Sequence, residues 1–274
     1  MELRHHALEA LCLADPERKA RQTLHMHAHP DFSIDPHLEL TPPPGTALPG
    51  LPERPELRPH TEMARRSPAT PLGRAVLIHA IAHIEYSAIN LALDAIWRFA
   101  NMPHAFYRDW LRIAAEEAKH FNLLRAHLRS QGYDYGDFPA HQGQWTMCEK
   151  TKDDIVARMA LVPRTMEARG LDATPQIQAK LRQVGSSDAL AAVEILDLIL
   201  REEIGHVAIG NHWYRWLCAR EGLDPEAHYI ELTHRYEAPR MRPPFNLPAR
   251  RAAGFSESEL HWLEQNRTGP HQNT

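Results

Sequence analysis

Two stretches of the chain place a glutamate and a histidine three residues apart within an apolar pattern. The first is Glu117-Ala-Lys-His120, and the second is Glu203-Ile-Gly-His206. On a helix this spacing puts both side chains on nearly the same face, about 60° apart. Burying an unpaired carboxylate is costly, so two such pairs in the interior predict a cation that they share.

Two further acids, Glu85 and Glu167, lie near the middle of two other predicted helices. Together with the Glu/His pairs they provide two imidazole nitrogens and four carboxylates. This set suits a pair of iron or manganese ions, because a carboxylate can bridge two metals. The sequence therefore predicts a di-metal site.

The same spacing also arises by chance, because the chain has 19 histidines. Glu2/His5 and Glu231/His234 repeat it, but both lie on short polar segments. We interpret these two as surface coincidences. The pairs at 117–120 and 203–206 differ because each is centred on the apolar stripe of a long helix.

The apolar pattern predicts four long helices, at about 71–99, 104–131, 151–170 and 187–218. Pro71 fits a first helical turn, Gly132 fits the position after a helix end, and Thr151 with Asp154 suits a variant capping box. Shorter helices are expected at 5–23, 175–184 and 225–237. The connection lengths permit two helical hairpins joined by one long crossover.

Pro163 interrupts the third helix four residues before Glu167. A proline removes one backbone donor, so the Met159 carbonyl loses its helical partner. The resulting kink either directs Glu167 towards the metals, opens a small-molecule pocket, or is simply a bend. The alternative for all the buried acids is ordinary salt bridges, with Arg164 or Arg74 as the partner.

Proline-rich segments at 36–71 and 238–255 read as extended arms. They divide the chain into N-terminal short helices and an arm (1–70), a helical bundle (71–219), and a C-terminal helix and arm packed on the bundle (220–274). The predicted fold is all-α, a four-helix bundle with extra short helices and Pro-rich N- and C-terminal arms.

Composition excludes several classes of protein. The net charge of −4 gives no general attraction to nucleic acid or to membranes. Cys12, Cys148 and Cys218 form no CxxC motif, which excludes a zinc ribbon and a rubredoxin-type iron centre. No segment is expected to act as a signal peptide or to span a membrane. We therefore expect a cytoplasmic protein without a membrane partner, and we leave open whether it forms a homodimer.

Other histidines and arginines were weighed as binding residues. The stretch HMHAH at 25–29 reads as a solvated segment, and His79 and His83 read as packed histidines rather than ligands. The arginines of the two arms either bind phosphate or an anionic substrate, or belong to solvated linkers, which we favour. These arginines are Arg54, Arg58, Arg65, Arg66, Arg74, Arg240, Arg242, Arg250 and Arg251.

In chain order, the six predicted ligands resemble the E…ExxH…E…ExxH pattern of ferritin-like diiron carboxylate proteins, over about residues 71–219. Within that superfamily, HAIAHIEYSAINLALDA and MALVPRTMEARGLDATP resemble an uncharacterised bacterial ferritin-like family of unknown function. A more distant similarity is to the tRNA hydroxylase that acts on isopentenylated adenosine. The resemblance implies a ferritin-like four-helix bundle and two iron ions, with manganese or a mixed Mn/Fe pair as alternatives.

The resemblance also implies roles for two neighbouring acids. Glu116 would orient His206, and Glu202 would orient His120, although the family usually carries Asp at these places. Leu124 stands where radical-generating reductases carry Tyr, and Leu171 stands where many diiron hydroxylases carry Thr. The first departure argues against a stable tyrosyl radical at position 124, and the second weakens the case for oxygen activation of the soluble-monooxygenase type.

The sequence thus favours an oxidoreductase that reduces O2 or peroxide and oxidises a small or nucleoside-like substrate, with no side chain yet assigned as catalytic. The alternative is an iron-handling or peroxide-scavenging protein without a dedicated organic substrate. Binding of tRNA is a third hypothesis, which we do not favour.

Overall fold

The computed structural model describes residues 2–29, 31–63 and 66–265. Helices account for most of them, and the β-type pairing found among them consists of two isolated bridges, Glu2 with Ser33 and Leu57 with Ala140. The predicted all-α class is confirmed. The chain divides into two compact units, Met1–Thr146 with Leu181–Ile195, and Met147–Lys180 with Leu196–Thr274.

The first unit is built around four helices. They are α1 (Leu3–Cys12), α2 (Pro16–Ala28), α3 (Pro71–Arg98) and α4 (His104–Ser130). Helices α3 and α4 are joined by a short loop and pack against each other, while α1 packs on α3 and α2 packs on α4. The loop after α4 leads to α5 (Gly143–Lys150), a helix that the sequence did not predict.

The ends of α3 and α4 follow from their capping residues. The Thr70 hydroxyl accepts a hydrogen bond from the Gly73 N–H at 3.0 Å, and Pro71 occupies the first turn. Gly132 follows the α4 end with φ of 80°, a conformation that glycine adopts without strain. Both helices were therefore predicted to within a residue at each end.

The N-terminal segment belongs to the core of this unit, whereas the sequence predicted short helices packed outside. Leu3 and Leu11 of α1 are fully buried. Within the predicted arm at 36–71, the described residues before α3 are irregular apart from a 3₁₀-helix at His60–Glu62. Gly50 anchors it: its N–H donates to the Leu11 carbonyl at 2.9 Å, and a Cβ there would lie 2.2 Å from the Cys12 carbonyl oxygen.

The second unit contains one helix of mixed type, made of α6, a π-helix and α7, followed by all or part of four further helices. In chain order these are α6 (Ile155–Leu161), a π-helix (Val162–Glu167), α7 (Ala168–Val184), α8 (Ser187–Glu221), α9 (Pro225–Arg235), α10 (Leu247–Ala252) and α11 (Glu257–Gln265). Part of its core is a buried cluster of Ala168, Leu171, Val207, Ala249 and Ala253.

The predicted third helix was wrong at both ends. It begins at Ile155 because Asp154 is the N-cap and accepts from the Ala157 N–H at 2.9 Å, whereas the Thr151 hydroxyl donates to the Met147 carbonyl. It continues past Gly170 to Val184, so a separate helix at 175–184 does not exist.

Pro175 does not break this helix, and the structure shows why. A proline leaves the carbonyl four residues earlier without its helical donor. Here that carbonyl belongs to Leu171, and it accepts from the Asn246 side-chain amide at 3.1 Å. A tertiary contact therefore replaces the missing helical bond.

Part of the predicted extended C-terminal arm is helical. Residues 247–252 form α10, and Arg250 within it is 2% exposed. Its guanidinium donates to both Asp172 carboxylate oxygens, at 3.1 and 2.6 Å. This segment is a packed part of the second unit and not an extended linker.

One helix departs from the prediction that no segment could span a membrane. By length and composition alone, α3 is apolar enough to do so. Of its most apolar 18-residue window, 78% is buried inside the protein, which is the pattern of a core helix.

Candidate metal centre

In the first unit, three of the predicted ligands lie together in the interior. His120 Nδ1 is 3.1 Å from Glu85 Oε2 and 3.4 Å from Glu117 Oε2. The ligand atoms of the three residues lie within 4.8 Å of one another, and none of the residues is more than 5% exposed. The structure therefore brings Glu85 of α3 next to the Glu117/His120 pair of α4.

The local sequence explains this placement. On α3, Ile81 lies one turn before Glu85, and on α4, Ile113 and Leu124 flank the Glu/His pair at helical spacing. Ile113 and Leu124 are fully buried, and Ile81 is nearly so. The apolar stripes thus turn the acids and the imidazole inwards, where α3 and α4 pack against each other.

The electrostatics of the cluster favour protonation when no cation is bound. Burial, helped by the neighbouring Glu117 carboxylate, raises the pKa of Glu85 to about 8. Burial alone would lower the His120 pKa, but hydrogen bonds and charge attraction from Glu117 and Glu85 outweigh it and raise the pKa to about 11. At neutral pH the imidazole is therefore protonated, and so is most of Glu85.

The donor set of this cluster fits a divalent metal. A cation bound here would take the place of the two protons and neutralise carboxylates that burial otherwise disfavours. Carboxylate oxygens with one imidazole nitrogen suit iron or manganese, and they lack the thiolates of a structural zinc site.

In the second unit, Glu203 and His206 are buried on α8. Glu203 Oε1 lies 3.2 Å from His206 Nδ1, so the second Glu/His pair repeats the contact within the first pair. Glu167 is the last residue of the π-helix and is 5% exposed. All three remaining predicted ligands therefore have buried side chains in this unit.

The sequence predicted a kink at Pro163, and the structure has a π-helix there. It contains Pro163, and the Thr165 hydroxyl donates to the Ala160 carbonyl at 2.8 Å. Single π-turns within α-helices often occur at functional sites, because they change the direction of the side chains that follow. Here the residue at the end of the turn is Glu167.

Helix α8 packs closely on this π-helix through a glycine. A Cβ at Gly210 would lie 2.5 Å from Pro163 Cβ and 2.8 Å from Pro163 Cγ. Gly210 is one turn beyond His206, and Pro163 is four residues before Glu167. The glycine therefore sets how near the backbone that carries His206 approaches the segment that carries Glu167.

The two arginines proposed as salt-bridge partners bond to other acids. Arg74 donates to Asp188 at 2.6 Å, and Arg164 donates to Glu259 at 2.5 Å. The neighbouring acids Glu116 and Glu202 are half-buried. Their roles in orienting the histidines stay a prediction.

The histidines that were weighed but not predicted as ligands are either exposed or packed beside an aromatic ring. His25, His27 and His29 of the HMHAH stretch are exposed. His79 and His83 are buried beside Tyr135, and burial lowers the pKa of each to about 4. They pack as neutral aromatic rings, in line with the interpretation from the sequence.

A second group with metal-ligand spacing lies on α1. It consists of His5, His6 and Glu9, and His6 Nδ1 contacts a Glu9 oxygen at 2.7 Å. His5 and Glu9 are about half exposed. A solvated surface cluster of this kind is common without a metal, and its carboxylate is not destabilised by burial.

The arginines of the arms fall into two groups. Arg74 and Arg250 are buried in ion pairs, which corrects their assignment to solvated linkers. Exposed members are Arg54, Arg58, Arg66, Arg240, Arg242 and Arg251, of which Arg58 pairs with Glu56 and Arg251 pairs with Glu257. Arg65 lies outside the described residues.

Comparison with known proteins places the chain in a family. The family model described as "Protein of unknown function (DUF455)" matches residues 12–261. This chain belongs to that family. A relative in Haemophilus influenzae (strain ATCC 51907 / DSM 11121 / KW20 / Rd) is 46% identical over 266 residues, which cover 93% of this chain and 91% of that protein.

The DUF455 match includes both Glu/His pairs, Glu85 and Glu167. The Haemophilus relative carries the name "Uncharacterized protein", so the comparison adds a family but no activity. No solved structure matches the chain. The chemistry of the buried residues is therefore the ground for a functional proposal.

Proposed function

We propose that this DUF455 protein is a non-haem di-metal oxidoreductase that holds two iron ions and uses O2 or peroxide to oxidise a small or nucleoside-like substrate. The observation that supports it most is the convergence of Glu85, Glu117 and His120 in the interior. An interior cluster with two carboxyl groups and one imidazole is costly unless a cation compensates it.

Three of the six predicted ligands belong to each unit. His120 and His206 would each offer Nδ1, the atom that already faces a carboxylate in each pair. Glu85, Glu117, Glu167 and Glu203 would supply carboxylate oxygens. The order of these residues along the chain, E…ExxH…E…ExxH, is what supports assigning both pairs to one centre.

The bound metals would supply the redox chemistry with O2 or peroxide. The protein's own part is to hold the ligands at fixed geometry, keep bulk water out, and accept or release protons at Glu85 and His120. The burial of those two residues and their raised pKa values support that part of the proposal.

The test is anaerobic binding of ferrous iron to metal-free protein. The native chain should bind about two ions and then develop a near-ultraviolet charge-transfer band when oxygen is admitted. Glu117→Gln should remove most of this binding. Glu231→Gln is the matched control, because Glu231 belongs to an exposed Glu/His spacing on α9 and bonds to Arg235 instead.

Thermal unfolding separates lost binding from lost folding. Without metal, Glu117→Gln should still unfold in one cooperative transition, but it should be less stable than the native chain, because it removes the carboxylate that pairs with the buried His120 side chain. Metal should raise the unfolding temperature of the native chain and of Glu231→Gln, but not that of Glu117→Gln. A native chain that binds no iron would end the proposal.

A further inference from the structure

The second unit contains a cavity that the metal chemistry does not use. It measures about 70 Å³ and lies between the π-helix, α9 and the C-terminal segment. Residues that line it include Arg164, Thr165, Tyr229, Met241, Phe255 and Trp262. No local sequence pattern indicates this cavity, because its walls come from positions as far apart as 164 and 263.

One wall of the cavity is a buried arginine with an unused donor. Arg164 is 2% exposed, and its guanidinium lies over the rings of Tyr229 at 4.7 Å and Phe255 at 4.8 Å. Two of its nitrogens donate to Asn211 and Glu259. Its Nε–H is buried without a hydrogen-bond partner, which is an unfavourable state that an acceptor atom would relieve.

The charges around the cavity are balanced. Arg164 pairs with Glu259, which also receives Arg215, and Arg250 pairs with Asp172. Glu226 at the exposed rim accepts hydrogen bonds from the Ser256 and Ser258 hydroxyls. An ion entering the cavity would therefore lose its hydration without gaining a free counter-charge.

From these observations we infer that the cavity binds an uncharged small molecule. Its oxygen would accept a hydrogen bond from Arg164 Nε, and its apolar part would contact the rings of Tyr229, Phe255 and Trp262. The cavity is about half the roughly 150 Å³ that admits the six carbon atoms of benzene, so a group of about three or four heavy atoms enters it. This inference rests on the second unit alone and does not depend on metal binding.

Three compounds of four heavy atoms each test the chemistry. Acetone is uncharged and carries an acceptor, isopropylammonium is a cation without an acceptor, and acetate is an anion with acceptors. Binding to the full chain is followed by two-dimensional ¹H–¹⁵N NMR, with the Trp262 indole as the local reporter. Acetone should bind at least about tenfold more tightly than either ion.

Filling the cavity provides the second arm of the experiment. Met241→Trp should weaken acetone binding by at least about tenfold, because the indole would occupy the site. Leu190→Trp is the control, since Leu190 is 44% exposed and belongs to the other unit, and it should bind like the native chain. Equal binding of the three probes, tighter binding of either ion, no binding of acetone, or unchanged binding in Met241→Trp would each overturn the inference.

Discussion

Glu85, Glu117 and His120 form a buried cluster whose charge protons or a cation could compensate. Without metal, protons on His120 and on Glu85 reduce the unbalanced negative charge of the interior. A bound cation would take over that role. The exchange of protons for a cation is therefore the physical basis of the proposed centre.

This exchange predicts proton release on metal uptake. At pH 7 both pKa values lie above the ambient pH, so binding should release about two protons from this cluster, one from His120 and one from Glu85. Above pH 8 Glu85 is already ionised, so the number should fall towards about one. The apparent affinity for the metal should accordingly rise with pH, and it should rise less steeply above pH 8.

A pH-stat titration with ferrous or manganous ion measures the release directly. Glu85→Gln carries no titrating proton at that position, and it should release about one proton fewer at pH 7 if it retains metal. If the native chain releases the same number of protons at pH 7 and at pH 9, Glu85 is not the source of one of them.

The shifted pKa of Lys19 makes the stability of the fold depend on pH. Lys19 is buried in the first unit, where its amine donates to the Gly50 carbonyl at 2.9 Å and to Asn90 Oδ1. Burial lowers its pKa to about 7. The neutral amine has two N–H groups for these two acceptors, so the fold accommodates the uncharged form.

The sign of the pH effect follows from the two states. An unfolded lysine has a pKa of about 10.4, so between pH 7 and that value the unfolded chain binds a proton that the folded chain does not. The free energy of unfolding should therefore rise with pH across this window, by up to about 1.4 kcal/mol per pH unit from this group. Below pH 7 the contribution no longer changes.

Urea unfolding at about pH 7, 8 and 9 checks this expectation. Relative to the native chain, Lys19→Met should lower the slope of stability against pH by up to about 1.4 kcal/mol per pH unit, whereas Lys180→Met, at an exposed position, should leave the slope unchanged. Identical pH profiles for the native chain and Lys19→Met would show that Lys19 stays charged in the fold.

At the scale of elements, the π-helix and α8 form the arrangement that holds the second set of ligands. The Pro163 ring faces the backbone of Gly210, and there is no room between them for a methyl group. Both contacts lie one turn from a predicted ligand, Glu167 on one side and His206 on the other. Small residues at such a crossing let two backbones approach closely.

Two glycine-to-alanine variants on α8 test this contact. Gly210→Ala should destabilise the protein by about 1–3 kcal/mol, because the added methyl must displace the Pro163 ring or the helix. Gly205→Ala meets nothing within 4 Å, and it should stabilise by up to about 1 kcal/mol through helix propensity. Denaturant unfolding of both variants distinguishes the two effects, and equal stabilities would show that the Gly210 contact is not restrictive.

The elements also show what the sequence could predict. Helices α3 and α4 were predicted closely because Thr70-Pro71 and Gly132 are local signals that act on their own backbone. The third helix was not, because its continuation through Pro175 depends on Asn246, which is 75 residues away from the Leu171 carbonyl that it satisfies. No local pattern contains that contact.

Helix α11 had a local signal that was overlooked. Ser256 and Glu259 form a capping box: the Ser256 N–H donates to Glu259 Oε2 at 2.7 Å, and the Glu259 N–H donates to the Ser256 hydroxyl at 3.1 Å. The S-x-x-E spacing is visible in the sequence. By contrast, the pairing of Glu259 with Arg164 required the fold, as did the cavity beside them.

At the scale of the whole molecule, the six predicted ligands are divided equally between the two compact units. Glu85, Glu117 and His120 belong to the first unit, and Glu167, Glu203 and His206 belong to the second. Each set contains one Glu/His pair in contact and one acid from another helical segment. The repeated composition of the two sets is what a centre with two similar metal sites requires.

The most direct test of this account is an anomalous-scattering map from crystals of the full chain loaded with iron or manganese. The account predicts two peaks per chain, one at coordination distance from His120 Nδ1 and one at coordination distance from His206 Nδ1. Peaks confined to the surface group of His5, His6 and Glu9, or no peak beside His120, would contradict it.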